Sequence, residues 1–341
     1  MDAKTLKFLF IHRLQDSGYK GYVEAWIQVS LMKSLEKMGH SISIMSNYFM
    51  TTDDLKYAID VQSPDAIIIG VETQELPIFM GKAIKIDIPK VIFIQDCFTW
   101  MNQYIKLIND WNIDLALFWH YSYCIPLFQE GKGWDLPRNY IRKVAFSEYN
   151  KTNYQTIPPH NPPQPVSCQM KVFPFWIDPE VYKNFSYNRT IDVTFTGACR
   201  ADIYPLRAQI VAELPDMHVR SEIHPNKRIP VSEYVELMNK SKIGIFDNQI
   251  FHIGTCRIPE IMACGSLVMM DRLDEDKDAY KFIPDENYVE VDQTNFKKKI
   301  LYYLEHEDER RDIAHKGYET VMRHHTADVR AQQLITYIRN L

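Results

Sequence analysis

The chain has 341 residues, more than one hydrophobic core usually needs, so length alone favours two domains of about 150–170 residues each. Hydrophobic residues make up 46% and charged residues 24%, which are ordinary globular proportions and exclude disorder, collagen and coiled coil. The net charge of −5 argues against bulk attraction to nucleic acid or anionic lipid, although a local basic groove stays open.

No apolar run approaches the ~20 residues of a membrane span. The longest is the short stretch from Ala66 to Val71. The start, Met1 to His12, lacks the apolar core of a secretory signal. The six cysteines, at 97, 124, 168, 199, 256 and 264, form no CxxC pair. Their scatter predicts reduced core thiols, no zinc site and a cytoplasmic protein.

In chain order, Leu6 to Ile11 reads as a strand, followed by a loop, Asp16 to Gly21, with two glycines. Tyr22 to Met38 has helical apolar spacing and stops at Gly39. Ser41 to Met45 is a short strand, and Thr51 or Thr52 caps a helix to about Val61. Ser63-Pro64 breaks that helix. Ala66 to Gly70, Lys90 to Gln95 and Leu115 to Trp119 are strands, the first two almost wholly apolar. Strands alternating with helices, and buried on both faces, predict a parallel sheet. From Asn150 to Met170 the pattern stops, and five prolines between 158 and 165 predict a stiff surface connection.

The alternation restarts after Asp178. Strands are expected at Ile191 to Thr196, Met217 to Glu222, Lys242 to Phe246 and Leu267 to Met270. Helices are expected at Tyr204 to Leu214, Ser232 to Lys240, up to Cys264-Gly265, Thr294 to Leu304, Glu307 to Arg323 and after Thr326. The fold class is therefore α/β, with two halves and no internal repeat. Residues 1–175 carry 17 basic and 17 acidic side chains, so a ligand of that half need not be strongly charged.

Open parallel sheets bind ligands at the carboxyl ends of their strands. Those rims are His12 to Gly21, Gly70 to Glu75 and Asp96 to Trp100 in the first half, and Gly197 to Arg200, Asp247 to Thr255 and Asp271 in the second. The most specific stretch runs from Gly254 to Gly265. Gly254 lets backbone approach a phosphate, and the first turn of the following helix offers free N–H groups to a diphosphate. Pro259 falls near that turn, where a missing N–H costs little. Glu260 lies where a carboxylate accepts a ribose hydroxyl pair.

Arg257-Ile-Pro-Glu260-Ile-Met-Ala263-Cys264-Gly265, followed by Ser266 to Asp271, resembles the nucleotide-sugar site of GT-B glycosyltransferases. It is closest to the group-1 enzymes and their CgeB-like relatives. Trp176-Ile-Asp178-Pro-Glu-Val-Tyr182, Asp192 to Gly197, Ser232-Glu-Tyr234 with Ser241 to Gly244, and His324-His325-Thr326 match other family segments in the same order. The resemblance covers about residues 172–335.

It implies two Rossmann-like domains facing across a cleft. These are residues 1–172 on the acceptor side and 173–322 on the nucleotide-sugar side, with a C-terminal helix, 323–341, packing back on the first domain. It also implies that Glu260 holds the donor ribose. Gly197, Gly254 and Thr255 would give backbone contacts to the diphosphate, and Arg200 or Arg207 together with Arg257 would neutralise it. At the position eight before the ribose Glu, where retaining relatives often have an acid, this chain has His252.

An inverting transfer needs a general base. Asp96 is the first candidate, followed by Asp16, Glu72, Glu75 and His120; Asp16, Asp96 and His252 form the candidate catalytic set. No metal and no cofactor beyond the nucleoside-diphosphate sugar is expected. The acceptor stays open among a glycan, a small molecule, a protein and hydroxymethylated pyrimidine in phage-type DNA. Lys132, Arg138, Arg142, Lys143, Lys227 and Arg228 supply local positive charge for the last. A sugar-nucleotide epimerase, a phosphorylase and a non-catalytic sugar-nucleotide or glycan-binding relative are the alternatives.

Overall fold

The structure is a computed structural model that describes residues 4–12, 27–46, 51–70, 85–95, 97–130, 165–201, 203–249 and 251–341. Asp16, Glu72, Glu75, Asp96, the basic loop from 132 to 143 and four of the five clustered prolines lie outside these. The chain divides into two units. One holds Met1–Ser17, Leu31–Phe173 and Ala331–Leu341; the other holds Gly18–Ser30 and Pro174–Arg330.

The first unit carries a six-stranded parallel sheet. Its strands are β1 (Lys7–His12), β2 (Ser41–Ser46), β3 (Ala66–Gly70), β4 (Lys90–Ile94), β5 (Leu115–Phe118) and β6 (Gln169–Val172), in the order β2-β1-β3-β4-β5-β6. Every residue of β3, β4 and β5 is buried, which explains why these segments read as continuous apolar runs. In β1 both faces are covered from Phe8 to His12, so the alternation of Lys7 and Phe8 is local and does not continue. The helices described here are α1 (Ile27–Lys37), α2 (Thr52–Gln62), α3 (Cys97–Trp111) and α4 (Ile125–Glu130). Thr51 caps α2 with a full capping box: its hydroxyl accepts from the Asp54 N–H, and the Asp54 carboxylate accepts from the Thr51 N–H.

The second unit carries a five-stranded parallel sheet. Its strands are β7 (Ile191–Gly197), β8 (Ser221–Pro225), β9 (Ser241–Ile245), β10 (Leu267–Met270) and β11 (Val289–Glu290), in the order β11-β10-β9-β7-β8. Its helices are α5 (Pro205–Glu213), α6 (Val231–Lys240), α7 (Arg257–Ala263), α8 (Lys277–Tyr280), α9 (Phe296–Glu305) and α10 (Glu307–His324); α11 (Ala327–Arg339) closes the chain. In both sheets the second strand lies outside the first and the third lies on its other side. The order therefore reverses between β1 and β3 and again between β7 and β9. Those switch points are where doubly wound sheets open a crevice at their strand ends.

Two sequence expectations are corrected. The strand expected at Met217 to Glu222 begins four residues later, at Ser221. Leu214–Met217 is a 3-10 turn, and His218 adopts a left-handed conformation that ends it. The connection expected up to Met170 already contains the start of β6, which pairs in parallel with β5. Its alternating, half-exposed residues mark an edge strand, and an edge strand does not produce an apolar run.

Within the second unit, Trp176 is 1% exposed and its indole N–H donates to the Ile27 carbonyl at 2.9 Å. Arg330 donates from Nε to the Pro174 carbonyl at 2.8 Å and from Nη2 to His325 Nδ1 at 2.8 Å. His325 in turn donates from Nε2 to the Tyr280 carbonyl at 2.6 Å. Within the first unit, the Phe173 and Tyr337 rings meet at 6.4 Å, and Arg339 donates to the Lys4 carbonyl at 3.2 Å.

Candidate donor site in the second unit

The site lies at the carboxyl ends of β7, β9 and β10. β7 ends at Gly197 with φ +142°, a conformation that side-chain-bearing residues rarely adopt. Arg200 follows in the loop, and its carbonyl accepts from the N–H groups of Ile203 and Tyr204 at 3.1 and 2.7 Å. Both residues therefore sit on the rim that the sequence assigned to them.

Arg207 does not stand free to meet a phosphate. It is 7% exposed, and its Nε pairs with Asp247 Oδ1 at 2.9 Å. Nη2 donates to the Asp247 carbonyl at 2.7 Å and Nη1 to the Ala198 carbonyl at 3.1 Å. The guanidinium also lies 3.8 Å from the centre of the Tyr204 ring. Arg207 thus ties the end of β9 to the end of β7 across the switch point, and its charge is paired with Asp247 in doing so.

The loop after β9 is built by a second, partly buried carboxylate. Asp271, at the end of β10, accepts the Asn248 N–H at 2.5 Å and binds His252 Nδ1 at 2.6 Å. His252 has φ +51°, and its carbonyl accepts from the Asp274 N–H at 2.8 Å. A short left-handed turn therefore presents the imidazole with Nδ1 already engaged, which leaves Nε2 for a substrate group.

Gly254 is a glycine for a different reason from the one the sequence suggested. A Cβ there would fall 2.2 Å from Tyr280 Cε1, so the close approach is to a buried tyrosine ring. The Gly254 N–H is also directed at Glu275 Oε1, 3.3 Å away. The Thr255 hydroxyl is buried with no hydrogen-bond partner among the described residues, and so is the Asn248 side-chain carbonyl. An orphaned buried polar atom costs about 1–3 kcal/mol, and two of them in one loop point to a ligand.

α7 begins at Arg257, and Pro259 falls in its first turn, where the absent N–H has no intrahelical role. Glu260, 8% exposed, accepts from the Tyr182 hydroxyl at 3.2 Å and from Arg257 Nη1 at 3.2 Å. Burial pushes the Glu260 carboxyl above the usual range, against the pull of Arg257 and of the Tyr182 hydrogen bond. The Arg257 guanidinium rests 4.5 Å from the centre of the Tyr234 ring, and its side chain stays 31% exposed. The result is a buried carboxylate beside a half-open cation, both carried on one helical turn.

Tyr182 and Tyr234 are the site residues that the sequence did not assign. Both lie in segments that matched the family pattern, and that was the only signal for them. Among the described residues, no group of three or more His, Cys, Asp or Glu side chains is placed to hold a metal ion. Among the same residues, no helix is long and apolar enough to cross a membrane.

Residues 189–336 match a protein-family model described as glycosyl transferase-like. None of the curated proteins matches the chain. Among solved structures, a sucrose-phosphate synthase from Thermosynechococcus elongatus superposes with a TM-score of 0.59 at 10% identity, covering 98% of each chain. HepE from Anabaena, in complex with UDP and glucose, superposes with a TM-score of 0.57 at 12% identity, covering 98% of this chain and 100% of the other. An alpha-glucosyltransferase in complex with UDP and a 13-mer DNA containing an HMU base gives 0.57 and 12%, with the same coverage. At such identities these likenesses show the fold. The chain has the GT-B fold, and its second unit carries a glycosyl transferase-like domain. The match stops short of the narrower CgeB-like grouping.

Proposed function

We propose that this GT-B-fold chain is a glycosyltransferase that takes a hexose from a uridine diphosphate sugar and places it on an acceptor hydroxyl, without a metal ion. One observation carries the reading: Glu260, a buried carboxylate gripped by Tyr182 and Arg257 at the start of α7. A carboxylate in this setting exchanges its internal hydrogen bonds for those of a ribose diol. The exposed part of Arg257 then faces the diphosphate, with Arg200, the Thr255 hydroxyl and the His252 imidazole around it. As the sugar leaves, charge grows on the diphosphate, and donors already fixed in place stabilise it. Asp96 and Asp16 are the candidate bases for the acceptor hydroxyl.

The acceptor is a glycan, a small molecule, a protein or a modified DNA base. Similarity to the DNA-bound alpha-glucosyltransferase over nearly the whole chain favours the DNA reading as the second one to test. A DNA acceptor predicts a steep loss of activity with added salt.

The test is thermal unfolding against a panel of nucleoside-diphosphate sugars, with wild type and Glu260→Ala. A donor at about a hundred times its Kd adds ~2.7 kcal/mol of stability. The expected result is a selective rise for one donor that disappears in the variant. A rise of equal size in both proteins would remove Glu260 from the site, and no rise with any donor would overturn the assignment. Product analysis then separates transfer from epimerisation, and binding with neither transfer nor donor hydrolysis would mark a non-catalytic relative.

A further inference from the structure

A pocket of about 700 Å³ lies at the opposite ends of the second sheet's strands from the donor site. Its lining includes Arg189, just ahead of β7, Lys242 at the start of β9, and Arg310 and Arg311 from the first turns of α10. All belong to the second unit.

The positive charge here is undercompensated. Lys242 pairs with Asp192 at 2.8 Å, and Arg311 pairs with Glu307. Arg189 spends its donors on uncharged oxygens: the carbonyls of Met238, Ser241 and Cys264 and the Ser266 hydroxyl. Arg310 is 2% exposed yet loosely held, with Nη1 3.3 Å from the Lys242 carbonyl and Nη2 3.7 Å from Glu307. Its Nε is buried with no partner among the described residues. Four cations therefore meet two carboxylates, leaving two positive charges in excess. Burial, and after it the neighbouring Arg310, pulls Arg189 down to about 10.

We propose that this pocket binds a phosphoryl dianion, either free phosphate or the phosphate monoester of a small molecule, at a site separate from the donor site. The dianion matches the excess charge, and its oxygens suit the planar donor forks of Arg310 and Arg311. Tyr187 and Tyr318 also line the pocket.

Calorimetric titration of the full chain at low salt tests this, with inorganic phosphate and glucose 6-phosphate as probes and dimethyl phosphate as a singly charged control. The expected result is one-site binding of a dianion, at least about tenfold weaker in Arg310→Gln and in Arg311→Glu, and unchanged in Arg257→Ala. The Arg311 side chain is 69% exposed, so its variant decides the matter even where the Arg310 variant fails to fold. Tighter binding of glucose 6-phosphate than of phosphate identifies an ester as the ligand; equal binding identifies free phosphate. The proposal is overturned by no saturable heat at millimolar probe, by full retention in Arg311→Glu, by loss in Arg257→Ala, or by equal binding of dimethyl phosphate.

Discussion

At the scale of single residues, the arrangement separates charges that hold the fold from charges left for a ligand. Arg207 and Asp247 are both buried and bind each other, so removing one strands the other. Arg207→Met is expected to cost about 3–5 kcal/mol at pH 8. Burial already pushes the Asp247 carboxyl up, and without its cation it takes a proton more readily still. The loss is therefore smaller at pH 5, and urea unfolding at the two pH values checks it; a stability unchanged at both would return Arg207 to the ligand set. Gly254→Ala forces a Cβ against the Tyr280 ring, and overpacking of this kind costs about 1–3 kcal/mol. The measurement is again urea unfolding, and a neutral outcome would show that the ring moves aside freely.

At the scale of elements, the continuous apolar strands were legible because burial on both faces removes any need for polar residues. Ile68 in β3 is fully buried, so Ile68→Ala is expected to lose about 2–5 kcal/mol. Met170, in the half-exposed edge strand β6, leaves a smaller hole, and Met170→Ala should cost less than half as much in the same urea series. The same contrast explains the misread elements. β6 has no apolar run to announce it, and its place is set by pairing with β5. The displaced start of β8 reflects the left-handed His218, a backbone state that a histidine does not advertise.

At the scale of the whole molecule, buried polar side chains shape the response to pH. His325 is fully buried, and burial, with Arg330 beside it, holds its pKa well below 6.5. Its folded-state pKa is depressed, so below about 6.5 the unfolded chain binds a proton that the folded chain refuses. Stability from this residue is complete above that value and falls as the pH drops, by up to about 1.4 kcal/mol per pH unit. Asp247 and Glu260, whose pKa values are raised, act in the opposite direction, so the test is a difference. Between pH 7 and 5, the stability of His325→Gln should fall less steeply than that of the wild type. Equal slopes would show that His325 is not held neutral.

The sequence by itself determined the alternation of strands and helices and the two α/β halves with parallel sheets covered on both faces, and it singled out Gly254 to Gly265 as the candidate place of the chemistry. Those features are written in periodicity, chain order and neighbouring residue types. The tertiary structure decided what each side chain does there. Arg207 meets Asp247 forty residues away, and Tyr182 reaches Glu260 across seventy-eight. Gly254 answers to the ring of Tyr280, and His252 to the carboxylate of Asp271. Such pairings arise when strands distant in sequence end side by side. No local spacing encodes them, because only packing in three dimensions settles which charge finds which partner.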